Sequence, residues 1–240
     1  MATEPLPPED ERLEDRVALP SIDIAALPFE TEQLRTHLKN FLDQQVDIVG
    51  GETVRLGSIK WGVYAFYDYD GEPIYVGQTK ESLGTRIRRH LTNQRTDAVA
   101  MNVLDPYEVN TLEVYPLPEA QQTTAHLNAL EYRVFEALLA RSEFHVVLNE
   151  KEPSLPTVEI EIPVPIRGQI VSPEVSRLRD HPDLRIARRA ATLAKLAQVI
   201  SERKVKKGLR GTLLAQAKRL QSLAQKRLDN ISDSSDDDDD

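Results

Sequence analysis

Apolar positions change period several times along this chain, and each change predicts an element. After Pro28, Phe29, Leu34, Leu38, Phe41 and Leu42 fit an amphipathic helix, read as a cover over a sheet and carrying no catalytic residue. Gly62 to Tyr67 and Ile74-Tyr75-Val76 are rich in β-branched and aromatic residues and flank Asp70-Gly71, the strongest short-range hairpin signal; a type I′ turn with positive φ at both central residues is expected. Pro73 puts the second strand at an edge and splays its start. Leu83, Ile87 and Leu91 then recur at helical spacing, in an element that Ser82 or Gly84 can open. A stronger helix, Thr123 to Ala140, has Leu127, Leu130, Val134, Phe135 and Leu138 on its buried face. Between Pro153 and Pro165, Val158, Ile160 and Ile162 alternate with Glu159 and Glu161, which reads as an extended linker or edge strand marking a domain boundary. Ile186, Ala190, Leu193, Ala197 and Ile200 form one apolar seam and Leu213, Ala217, Leu220 and Ala224 a second, with Lys207 to Gly211 as the break between them. They predict a helical hairpin with basic outer faces.

Chemistry concentrates between these elements. Tyr64 and Tyr75 come from partner strands and can bring their phenols to one neighbourhood, while Gly77 permits a close backbone approach just past the second strand. Arg86 and His90, four apart, share one helical face at the margin of the apolar stripe; Arg88 and Arg89 fall elsewhere on the wheel. A guanidinium is a permanent bidentate anion clamp and an imidazole can donate, accept or relay a proton, so the group suits a phosphate. On the stronger helix Glu131 lies within the apolar face and Glu136 on the solvated side. A carboxylate in an apolar stripe needs a partner, and a metal ion or Arg86 can supply it.

With Tyr64, the Tyr75-Val76-Gly77 triplet, Arg86-x-x-x-His90, Glu131 and Asn149 in order, the chain resembles the GIY-YIG nuclease superfamily over about residues 58–152, the Arg-to-His spacing being that of restriction-type members. Valine replaces isoleucine in both short motifs, and the long gap from Glu131 to Asn149 leaves Glu136 as a second candidate for the metal carboxylate. The resemblance implies an α+β fold with a short central antiparallel sheet flanked by helices, and phosphodiester hydrolysis with one divalent cation, Mg²⁺ or another such as Mn²⁺. It implies that Tyr64 acts as the general base or relays protons for it, with a pKa lowered by Arg86, His90 or the metal, because a free phenol is a poor base at neutral pH. Arg86 would steady charge on the phosphoryl oxygens, Glu131 would hold the cation, Tyr75 and His90 would orient water and phosphate, and Asn149 would brace the site.

Composition narrows the setting. The 240 residues include no cysteine, which excludes zinc fingers and disulfides and permits a reducing compartment. No run is apolar enough for a membrane span and the start has no signal-peptide core, so a soluble, intracellular, cytoplasmic protein without membrane partners is expected. The net charge of −9 hides segregation: the first sixty residues are acid-rich, Asp236 to Asp240 close an acidic tail, and Arg177 to Arg227 is basic. Arg88, Arg89, Arg188, Arg189, Lys204, Lys206 and Lys207 are the candidate DNA contacts. The hairpin carrying most of them can grip duplex DNA or join a second subunit as a homodimer, and the acidic tail can compete with DNA for it.

The division that follows is an acidic, proline-rich, disordered stretch over 1–28, a helical cover over 29–57, the nuclease domain over 58–152, a linker over 153–171, the basic helical extension over 172–229 and a disordered acidic tail over 230–240. Three functions fit: a site-specific endonuclease of the restriction type, a structure-selective nuclease of repair or mobile-element processing, and a noncatalytic nucleic-acid-binding module.

Overall fold

The computed structural model describes residues 28–48, 51–91, 103–149, 152–202 and 207–235. Helix α1 (Pro28–Leu42) precedes a two-stranded antiparallel sheet, β1 (Gln45–Asp47) and β2 (Thr53–Arg55). The hairpin β3 (Gly62–Tyr67) and β4 (Pro73–Thr79) leads to α2 (Leu83–Leu91), β5 (Thr111–Pro116) and α3 (Thr124–Arg141), and then to β6 (Ile166–Gln169), α4 (Pro173–Arg179), α5 (Pro182–Glu202) and α6 (Lys207–Ser235). The main sheet has the order β4-β3-β5-β6, antiparallel throughout, so the fold is α+β as the resemblance implies.

Strand β3 is buried at every position because both faces of the sheet are covered. Val63, Ala65 and Tyr67 face Leu127, Leu130, Val134 and Leu138 of α3. Tyr64 and Phe66 face the other way, into a core shared by Leu38 and Phe41 of α1, Ile87 of α2, Leu196 and Ile200 of α5, and Leu209 and Ala215 of α6. The C-terminal helices therefore share the core of the main sheet. Burial of this kind is worth roughly 1.5–3 kcal/mol per large apolar side chain.

The range read as a linker contributes the fourth strand. Arg167 stands opposite Glu113 of β5 and donates to its Oε1 at 2.8 Å, while the other oxygen of Glu113 accepts from Tyr67 and, at 2.5 Å, from Tyr115. Phe41 packs on Gly168, where a Cβ would stand 2.4 Å from the ring. The alternating Val158 to Ile162 stretch forms neither helix nor strand and lies in neither sheet. Alternation matched a strand there, but cross-strand charge pairing and the α1 contact select 166–169 instead.

The hairpin turns differently from the type I′ expectation. Gly71 has φ +75°, whereas Asp70 is not among the residues with positive φ. Gly71 N donates to Asp68 O and Asp68 N to Glu72 O, a three-residue loop, and the Asp68 carboxylate accepts from Asp70 N and Glu72 N and holds the loop closed. A loop one residue longer would slip the register, but a bulge restores it: Tyr67 pairs with Pro73 while Phe66 pairs with Tyr75. Tyr64 consequently lies opposite Gly77. A Cβ at Gly77 would sit 2.4 Å from the Tyr64 phenol oxygen, so the glycine is there to admit a side chain from within the pair, where the sequence suggested a backbone approach beyond the strand.

The basic helices point inward. Arg189 of α5 reaches Asp68 Oδ2 at 3.0 Å and Glu108 Oε2 at 2.9 Å, Arg219 of α6 reaches Asp68 Oδ2 at 2.5 Å, and Arg185 grips Asp70 through both nitrogens of its fork at 2.6 and 3.1 Å. Asp68, Arg185, Arg189 and Arg219 are all buried. This overturns Arg189 as a DNA contact and rotates both seams: α5 buries Arg185, Arg189, Leu196 and Ile200, and α6 buries Leu209, Thr212, Ala215, Arg219 and Leu223. Arginine occupies the inner stripe because the hairpin loop presents carboxylates to it. Arg188 is half-buried with its guanidinium 5.4 Å above the Tyr107 ring, so it too is engaged within the protein. The glycines expected to break the hairpin, Gly208 and Gly211, lie inside α6, which also runs through 230–235, read from sequence as disordered tail. Lys204, Lys206, Asp236 to Asp240 and residues 1–27 lie outside the described residues; of Lys207 only the backbone, at the start of α6, is described.

Two stability predictions follow from these contacts. Asp68→Ala leaves buried guanidinium groups without their shared acceptor and lowers unfolding stability by about 3–5 kcal/mol in urea titrations, whereas Asp183→Ala, whose Arg227 partner is exposed, leaves the midpoint in place. Equal midpoints for the two variants would contradict the clamp. Gly77→Ala costs about 1–3 kcal/mol by overpacking in the native chain and little when Tyr64→Ala is also present, a non-additivity that a double-mutant cycle measures.

Candidate active site

Three elements meet at the Tyr64 phenol. β3 delivers Tyr64, Gly77 on β4 leaves room for it, and α2, opened by the Ser82 side chain accepting from Thr85 N at 3.2 Å, turns Arg86 and His90 toward it. Arg86 Nε donates to the phenol oxygen at 3.2 Å, and the phenol is 2.8 Å from His90 Nε2. The Tyr75 ring centroid is 6.3 Å from that of Tyr64 and 5.3 Å from that of His90. Phe66 stacks on Tyr75 and completes the aromatic wall; sequence reasoning passed over it, though its place two residues after Tyr64 puts it on the same face.

Burial sets the protonation states. Removal from water lowers the His90 pKa to about 3, and the positive charges of Arg86 and Arg89 add to the effect, so the imidazole is neutral. Burial likewise raises the Tyr64 pKa well above its ordinary value, with Tyr75 and Glu131 adding to it and Arg86 opposing. For the protein groups alone this is opposite to the lowered phenol pKa that the resemblance implies: an enclosed site weakens the anionic form more than one guanidinium can support it. The bonding pattern that uses every atom runs from Arg86 Nε–H to the phenol oxygen, and from the phenol O–H to His90 Nε2.

Glu131 lies across the edge of β4. It is half-buried, whereas Glu136 is exposed on the far side of α3. Glu131 lines a groove of about 360 Å³ along the outer edge of β4, with Tyr75, Gln78, Asn128 and Asn149. Asn149 acts there as a one-residue strand: its amide oxygen accepts from Val76 N at 3.1 Å and its amide nitrogen donates to Val76 O at 2.8 Å, while Leu148 N donates to Ile74 O. The open edge of β4 is thus closed, and Tyr75 and Gly77 are fixed on either side of the braced residue. A larger groove of about 1120 Å³ lies between Arg133 and the 156–164 stretch, but none of these residues lines it.

The structure thus brings Tyr64, Tyr75, Arg86 and His90 into one cluster, with Glu131 and Asn149 lining the groove beside Tyr75. Arg89 is ion-paired with Glu81, and Arg88 is exposed on α2. Among the described residues no group of three His, Asp or Glu converges as a metal cage. The groove does fit Mg²⁺, which takes one or two protein carboxylates and fills its remaining positions with water and substrate phosphate. Sequence reasoning missed Gln78 and Asn128, whose side chains bond each other at 3.1 Å across the groove; the i, i+3 step from Asn128 to Glu131 on one helix face was the available signal.

Comparison with known proteins agrees with this geometry. The family model of the GIY-YIG catalytic domain matches residues 60–142, which span β3, β4, α2, β5 and α3. No curated protein and no solved structure matches the chain. Among the described residues no helix is long and apolar enough to cross a membrane. Residues 60–142 are a GIY-YIG catalytic domain, the domain of nucleases of the endonuclease kind that generally use divalent metal ions.

Proposed function

We propose that the protein is a metal-dependent endodeoxyribonuclease of the site-specific, restriction type, with Tyr64, Tyr75, Arg86, His90, Glu131 and Asn149 as its working residues. The observation that carries the reading is the Arg86–Tyr64–His90 chain, linked at 3.2 and 2.8 Å beside a groove lined by Glu131. Such a chain can move a proton away from an attacking water. Lack of cysteine suits a cytoplasmic protein.

Tyr64 serves best as a relay. As its oxygen takes a proton from water, its own proton passes to His90 Nε2, so no standing phenolate forms, and the imidazolium left on His90 is transient and offset by the negative phosphate beside it. Tyr75, half-buried at the groove, orients the water. Arg86 faces the charge that builds on the phosphoryl oxygens. Glu131 is the ligand for Mg²⁺ or Mn²⁺, which when bound supplies positive charge at the leaving oxygen. Asn149 keeps the β4 edge from shifting under these groups.

Supercoiled plasmid and long natural DNA, incubated with Mg²⁺ or EDTA, test this reading. Discrete fragments are expected with Mg²⁺ only, and Glu131→Gln, Arg86→Lys and Tyr64→Phe each lower the rate by about 10²–10³-fold, the usual loss for one charge-stabilising group. Uncut DNA in every lane, with cutting confined to branched substrates, would favour the structure-selective reading. Because His90 is neutral down to about pH 3, kcat/KM from pH 5 to 8 has no histidine inflection near 6.5. An inflection there that disappears in His90→Gln would show the imidazole to titrate normally.

A further inference from the structure

One face of α3 carries Thr124, Asn128 and Glu131 at four- and three-residue steps, and the end of β4 and the residue after it answer the first two. Lys80 Nζ donates to Thr124 Oγ1 at 2.9 Å, and Gln78 donates to Asn128 at 3.1 Å. Lys80 also stands 5.8 Å above the ring of Trp61, the only tryptophan of the chain, which directly precedes β3. A polar strip therefore leads from Glu131 to an exposed cation held over an aromatic platform. At 1.5 Å per residue the seven residues from 124 to 131 span about 10 Å. The backbone winds round the duplex axis, so neighbouring phosphates of one strand stand further apart than the axial rise of about 3.4 Å, and the strip spans about one or two nucleotides.

From this strip we infer that the substrate strand runs from the Glu131 groove along Gln78 and Asn128, and that Lys80 on Trp61 holds a backbone phosphate about one or two nucleotides from the cut. The inference rests on the nuclease reading and assigns a substrate contact within it. The chemistry suits a nucleic-acid backbone: amide groups tolerate any sequence, an ammonium pairs with a phosphate as a point charge, and the indole beneath holds the ammonium in place. The ring is half-buried against the sheet core and its platform is rigid. Of the basic residues first assigned to DNA, Arg189 and Arg188 are engaged inside the protein and Arg89 with Glu81, while Arg88 is exposed on α2; Lys80, exposed and bonded to Thr124, is the cation that the helix face carrying Glu131 positions.

Equilibrium binding of a labelled duplex to full-length Glu131→Gln protein, titrated over a series of salt concentrations in the presence and absence of Lys80→Gln, tests the contact. Loss of one phosphate contact lowers the slope of log K against log salt by about 0.9 and weakens binding by roughly eightfold at 0.1 M salt. A methylphosphonate placed one or two nucleotides from the cut, tried at each position and on each side, produces the same loss with Lys80 at one of them and no further loss there with Lys80→Gln. Saturating DNA also changes the emission of Trp61. An unchanged slope, together with unchanged emission, in a protein whose native form still cuts DNA overturns the track and leaves the nuclease reading standing. A native protein that neither binds nor cuts DNA overturns both. Lys80 is exposed, and a circular-dichroism melt shows the variant to be folded.

Discussion

A single buried carboxylate, Asp68, organises much of this molecule. One of its oxygens closes the β3–β4 loop through two backbone N–H groups, and the other takes Arg189 and Arg219 from two separate helices. None of these charges can leave water alone, because an isolated buried ion costs several kcal/mol. Together they satisfy one another, so the hairpin loop and the C-terminal helices are buried as a unit. The clamp does not compete with a hydrophobic core; it aligns one, since the same helices lay Leu196, Ile200, Leu209 and Ala215 into the face that holds Tyr64.

The catalytic register depends on the same loop. A three-residue loop alone would place Tyr64 opposite Val76 and bring that side chain onto the Tyr64 face, where the phenol now lies. The bulge at Ile74 returns Tyr64 to Gly77, the one position on β4 that offers no Cβ, and the phenol can then reach Arg86 and His90. Enclosure has an electrostatic consequence as well. It keeps Tyr64 and His90 both neutral, which favours a concerted passage of a proton over a standing phenolate or imidazolium.

Charge in this chain is a poor guide to surface. Sequence position suggested a basic outer face over Arg177 to Arg227, yet Arg179, Arg185, Arg189 and Arg219 are buried against carboxylates that come from distant segments. Arg179 of α4 pairs with Glu30 of α1 in the same way, joining the first and the later helices. The exposed cation at the end of the groove, Lys80, carries no such cluster around it in sequence and was visible only through its neighbours Trp61 and Thr124.

Sequence alone indicated most of the elements and the residues proposed for the site. Period-two aromatic strands, helical stripes and the ordered Tyr64, Tyr75, Arg86, His90, Glu131 and Asn149 are local patterns, and local patterns survive in one dimension. A helix wheel needs no partner, so it put Glu131 on the apolar face and Glu136 on the solvated side, as their burial has it, while leaving both as candidates for the metal carboxylate. The tertiary structure decided everything that depends on what lies opposite: the loop type and its compensating bulge, the strand at Ile166–Gln169, the inward turn of the arginines and the protonation of the enclosed pair. Each of these follows from burial against a residue far away in the chain, and burial sets both the energy of a charge and the face on which a side chain must lie.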